Sequence, residues 1–222
     1  MSTKQTEQAP AAIEEVLSKS EAVILKYKKA IVGGVIAIIV FIVGSILYNT
    51  HIVAPAEQEA AEALFPAESL FTQGSYQEAV DGDGVNLGLL AVAEEYSGTT
   101  SGNLANAYAG MALAQLGRYE EAIPYLEAFD GEDQMVAPAA LGTLGNCYAQ
   151  TGNNDKAISC FLDAASKADN KTLSPYYLMQ AALMHEQAGN ASKALKLYEE
   201  IKEKYPASAQ GREIEKYINR IK

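Results

Sequence analysis

The chain has little of what metal or nucleophilic chemistry draws on. Two cysteines and two histidines are spread over 222 residues. Cys147 and Cys160 stand thirteen apart, which no zinc site uses as a ligand spacing. Both fall on helices of one repeat, where they fill core volume, and whether they pair is left open. His51 stands alone, and His185 occupies a packing position of a helical repeat. No glycine-rich loop is placed to cradle phosphate, because the Gly33-Gly34 pair lies inside an apolar run. The Asp81-Gly-Asp-Gly84 segment lacks the further oxygen ligand at Val85 and the glutamate at Val92 that a calcium loop needs. It reads as a plain loop. These absences leave no catalytic constellation, no metal site and no cofactor, so the expectation is a protein that is not an enzyme.

Positive charge is also scarce. Lys and Arg are missing from residue 30 until Arg118, and the chain carries a net charge of −11. Residues 49–133 hold 15 acids against Arg118 alone, whereas residues 134–222 hold 9 acids and 11 bases. Nucleic-acid binding needs clustered cations and is excluded on this balance. No small-molecule substrate is indicated either.

One stretch lacks charge of either sign. Ala30 to Tyr48 runs 19 residues, a helix of about 28 Å, close to the thickness of a bilayer's hydrocarbon core. Twelve of the 19 are Ile, Val, Leu or Phe, together favouring insertion by on the order of 4–7 kcal/mol. The competing readings are a buried soluble helix and a cleaved signal peptide. Against the second, the run is too long and 29 residues precede it. Lys19, Lys26, Lys28 and Lys29 flank the run on its N-terminal side. The expected topology is a single-pass anchor with residues 1–29 in the cytoplasm, including an amphipathic juxtamembrane helix. Ile13, Val16, Leu17, Ile24 and Tyr27 share one stripe of it, and Ser18 with Glu21 has the spacing of a helix restart.

Beyond the anchor the chain repeats itself. In Leu141–Ala164 the residues Leu144, Gly145 and Tyr148 precede Gly152, and Ala157, Phe161 and Ala164 follow, the pattern of a tetratricopeptide repeat. Gly110 and Leu113 precede Gly117, with Tyr119, Ala122 and Leu126 after it. Leu178, Ala182 and His185 precede Gly189, with Ala194, Tyr198 and Pro206 after it. The turn glycines are 35 and 37 residues apart, against a period of about 34. The expected fold is all-α: a tetratricopeptide-repeat helical solenoid with one N-terminal transmembrane helix. Residues 49–100 form a linker helix and a degenerate first repeat, in which Pro66 kinks or restarts the helix and the DGDG loop interrupts the second. Residues 101–206 form three repeats, and 207–222 a capping helix with Ile214, Tyr217, Ile218 and Ile221 on its apolar face. Pro124 is expected early in its helix, where the amide is still unpaired.

What remains for such a chain is binding. The first helix of each pair lines the inner face of a repeat stack, which places Leu104, Ala107, Met111 and Gln115 there from the first repeat. Gly142, Asn146 and Gln150 follow from the second, and Tyr176, Met179, Leu183 and Gln187 from the third. Tetratricopeptide domains that hold acidic chaperone C-termini use a Lys, Arg and Asn clamp at such places. This chain offers Asn146 without Lys or Arg. An uncharged, partly apolar groove suits extended, weakly hydrophobic polypeptide.

The KYKK flank, the single span, the segments LFPA, DGDG, NLANAYAG, ALGTLGNCYAQTGN and GREIEKYI, and the three repeats together resemble the YfgM-like family in the form found in Bacteroidetes. These are single-span ancillary subunits of the bacterial Sec translocon. The resemblance implies an inner-membrane protein with a periplasmic C-terminal domain. Its implied partners are Sec translocon components, secretory polypeptides and periplasmic chaperones. The alternative is a scaffold for another cell-envelope secretion or motility complex.

Overall fold

A computed structural model describes residues 8–221, with side chains from residue 26 onward. The chain divides into two units between Pro55 and Ala56. In the first, helix α1 (Gln8–Tyr48) runs unbroken, so Ser18 and Glu21 lie mid-helix and begin nothing. The stripe residues from Ile13 to Ile24 have side chains outside the described part. Ile31, Ile38, Phe41 and Leu47 are all exposed, Phe41 to 77%. The helix is long and apolar enough to cross a membrane, and being apolar on every side it has no face suited to water. A π-helical turn follows at Asn49–Val53. Pro55 lacks an N–H, and its ring crowds the carbonyl of His51, which a widened turn relieves.

The second unit is a stack of helix pairs. Its elements are α2 (Ala54–Thr72), α3 (Tyr76–Asp81), α4 (Leu89–Glu95), α5 (Thr100–Gln115), α6 (Tyr119–Ala128), α7 (Val136–Gln150), α8 (Asn154–Ala168), α9 (Leu173–Gln187), α10 (Ala191–Lys204) and α11 (Ala209–Ile221). α5 packs on α6, α7 on α8 and α9 on α10; each second helix then meets the first helix of the next pair, ending with α10 on α11. Among the described residues there is one isolated β-bridge, Gly82 to Leu87, and no strand. The fold is an all-α tetratricopeptide-repeat solenoid, with one long apolar helix ahead of it.

Every pair turns in the same way. Gly74, Gly117, Gly152 and Gly189 have φ of 82°, 76°, 82° and 75°, values that cost a side chain but not glycine. In all four, the glycine N–H donates to the carbonyl three residues back and the next N–H to the carbonyl five back. These two bonds are a Schellman motif.

Counted from these glycines, one register covers the unit. Seven residues before stand Ala67, Gly110, Gly145 and Ala182; five after stand Ala79, Ala122, Ala157 and Ala194; all are buried. Small residues at both places let the paired backbones approach. A Cβ at Gly110 would lie 2.4 Å from Leu126 Cγ, and one at Gly145 would lie 2.8 Å from Phe161 Cε1. The first pair obeys the register through Ala79 and departs from it only where its second helix splits into α3 and α4. In the loop between them Asp83 Oδ1 accepts from Val85 N (2.8 Å) and Asn86 N (2.7 Å), and Oδ2 accepts from Asn86 Nδ2 (2.9 Å). These donors hold the Asp83 carboxyl down to about 2. The DGDG segment is therefore a closed Asx turn inserted in a helix.

Helix starts are satisfied from outside the helices. For α5, Thr99 Oγ1 accepts from Gly102 N (2.9 Å), while Glu57 accepts from Thr100 N (2.6 Å), Ser101 N (2.9 Å) and Ser101 Oγ (2.7 Å). For α7, Asp133 accepts from Val136 N and Ala137 N, and the third residue is Pro138, which has no N–H to satisfy. For α9, Asn170 accepts from Leu173 N, and the third residue is Pro175. Asp133 and Asn170 both stand nineteen residues ahead of their turn glycines. The expectation at Pro124 needs correction, and of the two readings at Pro66 the restart does. α2 passes through Pro66 without a restart. Pro124 is the sixth residue of α6, beyond Ala122, whose N–H already bonds the Arg118 carbonyl. It therefore removes one ladder bond, that to the exposed Glu120, and α6 ends four residues later.

Glu57 ties α2 to the start of α5. Burial raises its pKa, but the Ser101 hydroxyl and the two amides outweigh this and leave it lowered. A lowered carboxylate stabilises the fold above its ordinary pKa near 4.5 and loses that contribution as pH falls through the folded value. Glu57→Gln is expected to lower stability at pH 7 by about 1 kcal/mol, the scale of a lost capping acceptor. The gap to the parent should narrow as the pH falls through the folded value. Urea titrations at neutral pH and along an acid series test this, and a pH-independent gap would contradict it.

Candidate partner-binding groove

The predicted groove residues fall on three rows. Six residues before each turn glycine stand Met111, Asn146 and Leu183; two before stand Gln115, Gln150 and Gln187; ten before stand Ala107, Gly142 and Met179. The three glutamines and Asn146 are exposed, and Met111 and Leu183 are half-buried, as is Leu104. The third row is closed. Ala107 is fully buried and Met179 is 7% exposed. A Cβ on Gly142 would lie 2.3 Å from Tyr177 Cε1. Glycine is needed there because the Tyr177 ring from α9 lies against α7. The structure therefore leaves Gln115, Asn146, Gln150 and Gln187 accessible at matching positions of α5, α7 and α9, and sets Ala107, Gly142 and most of Met179 into the packing.

Tyr176 stands apart from these rows, at the N-terminal part of α9. It is 42% exposed, yet its ring makes an edge contact with Tyr177 at a centroid separation of 5.1 Å. Tyr176, Met179 and Leu183 line a cavity of about 320 Å³, whose opposite wall is Gln210, Glu213 and Tyr217 of α11. The capping helix is thus one wall of this cavity as well as a lid on the core. That role was missed in the sequence, although Glu213 and Tyr217 share one face of α11 at a spacing of four.

The first pair adds two residues that sequence reasoning missed. Glu68 and Thr72 occupy the positions of Asn146 and Gln150. Tyr108 donates to Glu68 Oε1 at 2.9 Å and packs on Phe71 at 5.1 Å. Burial, aided by Glu68, pushes the Tyr108 hydroxyl up to about 12. Away from the groove, the Tyr148 hydroxyl donates to Glu127 and accepts from Lys156 Nζ at 3.0 Å. At the C-terminal end, Glu186 Oε2 accepts from Tyr198 at 2.8 Å and from Arg220 at 2.7 Å, linking α9, α10 and α11.

The remaining candidates for chemistry are packing residues. His185 takes the place that Leu70, Leu113 and Tyr148 take in the other pairs. Burial lowers its pKa, with nearby Lys193 acting in the same direction. Cys147 and Cys160 are free thiols, both buried, and burial pushes each up to about 11. At neutral pH both stay protonated, and burial closes access to them. Maleimide is expected to leave both unmodified in the folded chain at pH 7 and to modify both in urea, read by intact mass. Rapid labelling of the native chain would contradict the packing.

Two family models match the chain. Residues 89–186 match the model described as "T7SS, ESX-1 secretion system protein EccA1, N-terminal domain". Residues 176–208 match the model described as "Tetratricopeptide repeat". No curated protein matches the chain. The repeat match falls on α9, α10 and the approach to α11. Tetratricopeptide repeats mediate protein–protein interaction and are typically non-catalytic, and neither match indicates an enzyme family.

Proposed function

We propose that this chain is an inner-membrane-anchored periplasmic binding protein of the YfgM-like kind, an ancillary subunit of the Sec translocon that contacts translocating polypeptide or periplasmic chaperones. The observation that carries the reading is the row of accessible amides at Gln115, Asn146, Gln150 and Gln187, bordered by Met111 and Leu183. Amides meet the backbone groups of any extended peptide, and methionine and leucine accept varied apolar side chains. Lys26, Lys28 and Lys29 beside the apolar part of α1 support an N-terminus on the cytoplasmic side. The domain plan follows: residues 1–29 inside, 30–48 in the membrane, and 49–222 outside.

Photo-crosslinkers at Met111, Asn146 and Gln150 are expected to capture secretory chains, and the protein is expected to copurify with the Sec channel in mild detergent. A crosslinker at Ser159, exposed on the second helix of its pair, serves as the control. Recovery without any Sec component in several detergents would sink the reading. The second reading is a scaffold or assembly factor for another envelope secretion or motility complex. The match over residues 89–186 to a domain of a secretion-system protein favours it. A stoichiometric partner from such a machine in the same purification would select it.

A further inference from the structure

The sequence placed no cation among the groove positions, but two cations stand at the groove's C-terminal end. A cavity of ≈ 800 Å³ lies between the start of α9 and the α10–α11 connection, and Lys171 and Arg212 line it. Both are exposed, and among the described residues neither has a carboxylate partner; Arg212 Nη1 donates to the Ala207 carbonyl at 2.9 Å. By contrast Arg118, Lys156, Lys167, Lys202, Lys204 and Arg220 are each paired to a glutamate. Glu203 is the one acid in the wall, and Lys204 stands beside it. This cavity adjoins the smaller one described above through the shared residues Tyr176, Ala209 and Gln210. Together they make a trough with a cationic end and an apolar part lined by Tyr176, Met179, Leu183 and Tyr217, with Glu213 of α11 in the wall of that apolar part.

We propose that this trough between α9 and α11 binds an acidic peptide segment, with its carboxylate side chains at Lys171 and Arg212 and a preceding aromatic or aliphatic pair against Tyr176 and Leu183. The inference rests on the groove reading above and assigns it a ligand class and a direction. Charge complementarity carries it in two ways. The cationic end meets the carboxylates, and Glu213 disfavours an acid against the apolar part of the trough. Residues 49–133, with 15 acids against one arginine, repel an acidic segment from the rest of the stack, so it is held at this end alone. Tyr176 needs little ordering to meet an apolar side chain, because its edge contact with the buried Tyr177 already sets its ring.

The test uses the full chain in a neutral detergent and a fluorescein-labelled, carboxy-amidated peptide of sequence Gly-Ser-Phe-Leu-Asp-Glu-Glu. Two matched peptides carry Asn-Gln-Gln or Lys-Lys-Lys in place of the acids. Anisotropy is expected to show the acidic peptide binding at least about tenfold tighter than the amide peptide, with the gap narrowing between 0.05 and 0.5 M salt. The Met179 methyl resonance should shift on binding and that of Met111 should not. K171E with R212E should abolish the preference, and K171Q with R212Q should reduce it. Equal affinity for all three peptides, or a preference that survives K171E with R212E, overturns the proposal. If neutral peptides still bind and Asn146 and Gln150 still crosslink, the groove reading stands without it; if no peptide binds and neither site captures a chain, both fail.

Discussion

Truncating Phe161 to alanine is expected to lower the unfolding free energy by about 3–5 kcal/mol, the range for removing a buried aromatic ring. Phe161 is 2% exposed and fills the space that Gly145 leaves open on α7. The same contact makes Gly145→Ala costly, by about 1–3 kcal/mol, because its Cβ would lie 2.8 Å from the ring with α7 and α8 already in contact. The two changes should not add. Gly145→Ala combined with Phe161→Leu is expected to be less damaging than the sum of the single changes, since the smaller, flexible side chain yields to the new methyl. Urea titrations of the full chain in mild detergent, followed by circular dichroism, supply the four corners of the cycle. Strict additivity would show that the ring does not bear on Gly145.

The second large effect is at the other end of the stack. Ile214 is fully buried and Ile218 nearly so, and α11 carries both onto α10 and α9. Ile214→Asp would place a carboxylate there without a cation to meet it. The expected response is detachment of α11 in preference to burial of the charge. A stack in which each pair touches only its neighbours localises such damage. Hydrogen exchange should rise to the unprotected rate across residues 209–221 and increase in α10, where Tyr198 and Ile201 lose their cover. Amides of α5 and α7 should keep their protection. Cooperative loss across the whole stack would refute this one-dimensional coupling. The same variant would remove one wall of the trough, so peptide binding there should fall with it.

Much of this was legible residue by residue. A glycine that must adopt positive φ announces itself, and four of them followed by alanine five positions on mark four helix pairs even where Asp81–Gly84 breaks one. The restart expected at Pro66 and the early position expected for Pro124 failed for a common reason. Pro66 and Pro124 each cost one ladder bond, and whether a helix ends for that reason depends on the packing beyond it, as at Ala67 after Pro66. The groove was legible as a register but not as a surface. Asn146 and Gln150 share their helix with Gly142, and only the Tyr177 ring against Gly142 separates open positions from closed ones. Asp133 and Asn170 with their following prolines were a readable capping signal that periodicity alone passed over.

By itself the sequence determined what depends on near neighbours: the apolar helix at Ala30–Tyr48, the left-handed turns, and the alternation of small and large residues that makes helix pairs. Those features follow from backbone sterics and from side chains three to five positions apart. Only the tertiary structure decided that Glu57 serves α5 from more than forty residues away, that α11 faces α9 across a cavity, and that Lys171 and Arg212 share one cavity. Each depends on helices stacked at a particular distance and angle, which no spacing along the chain records.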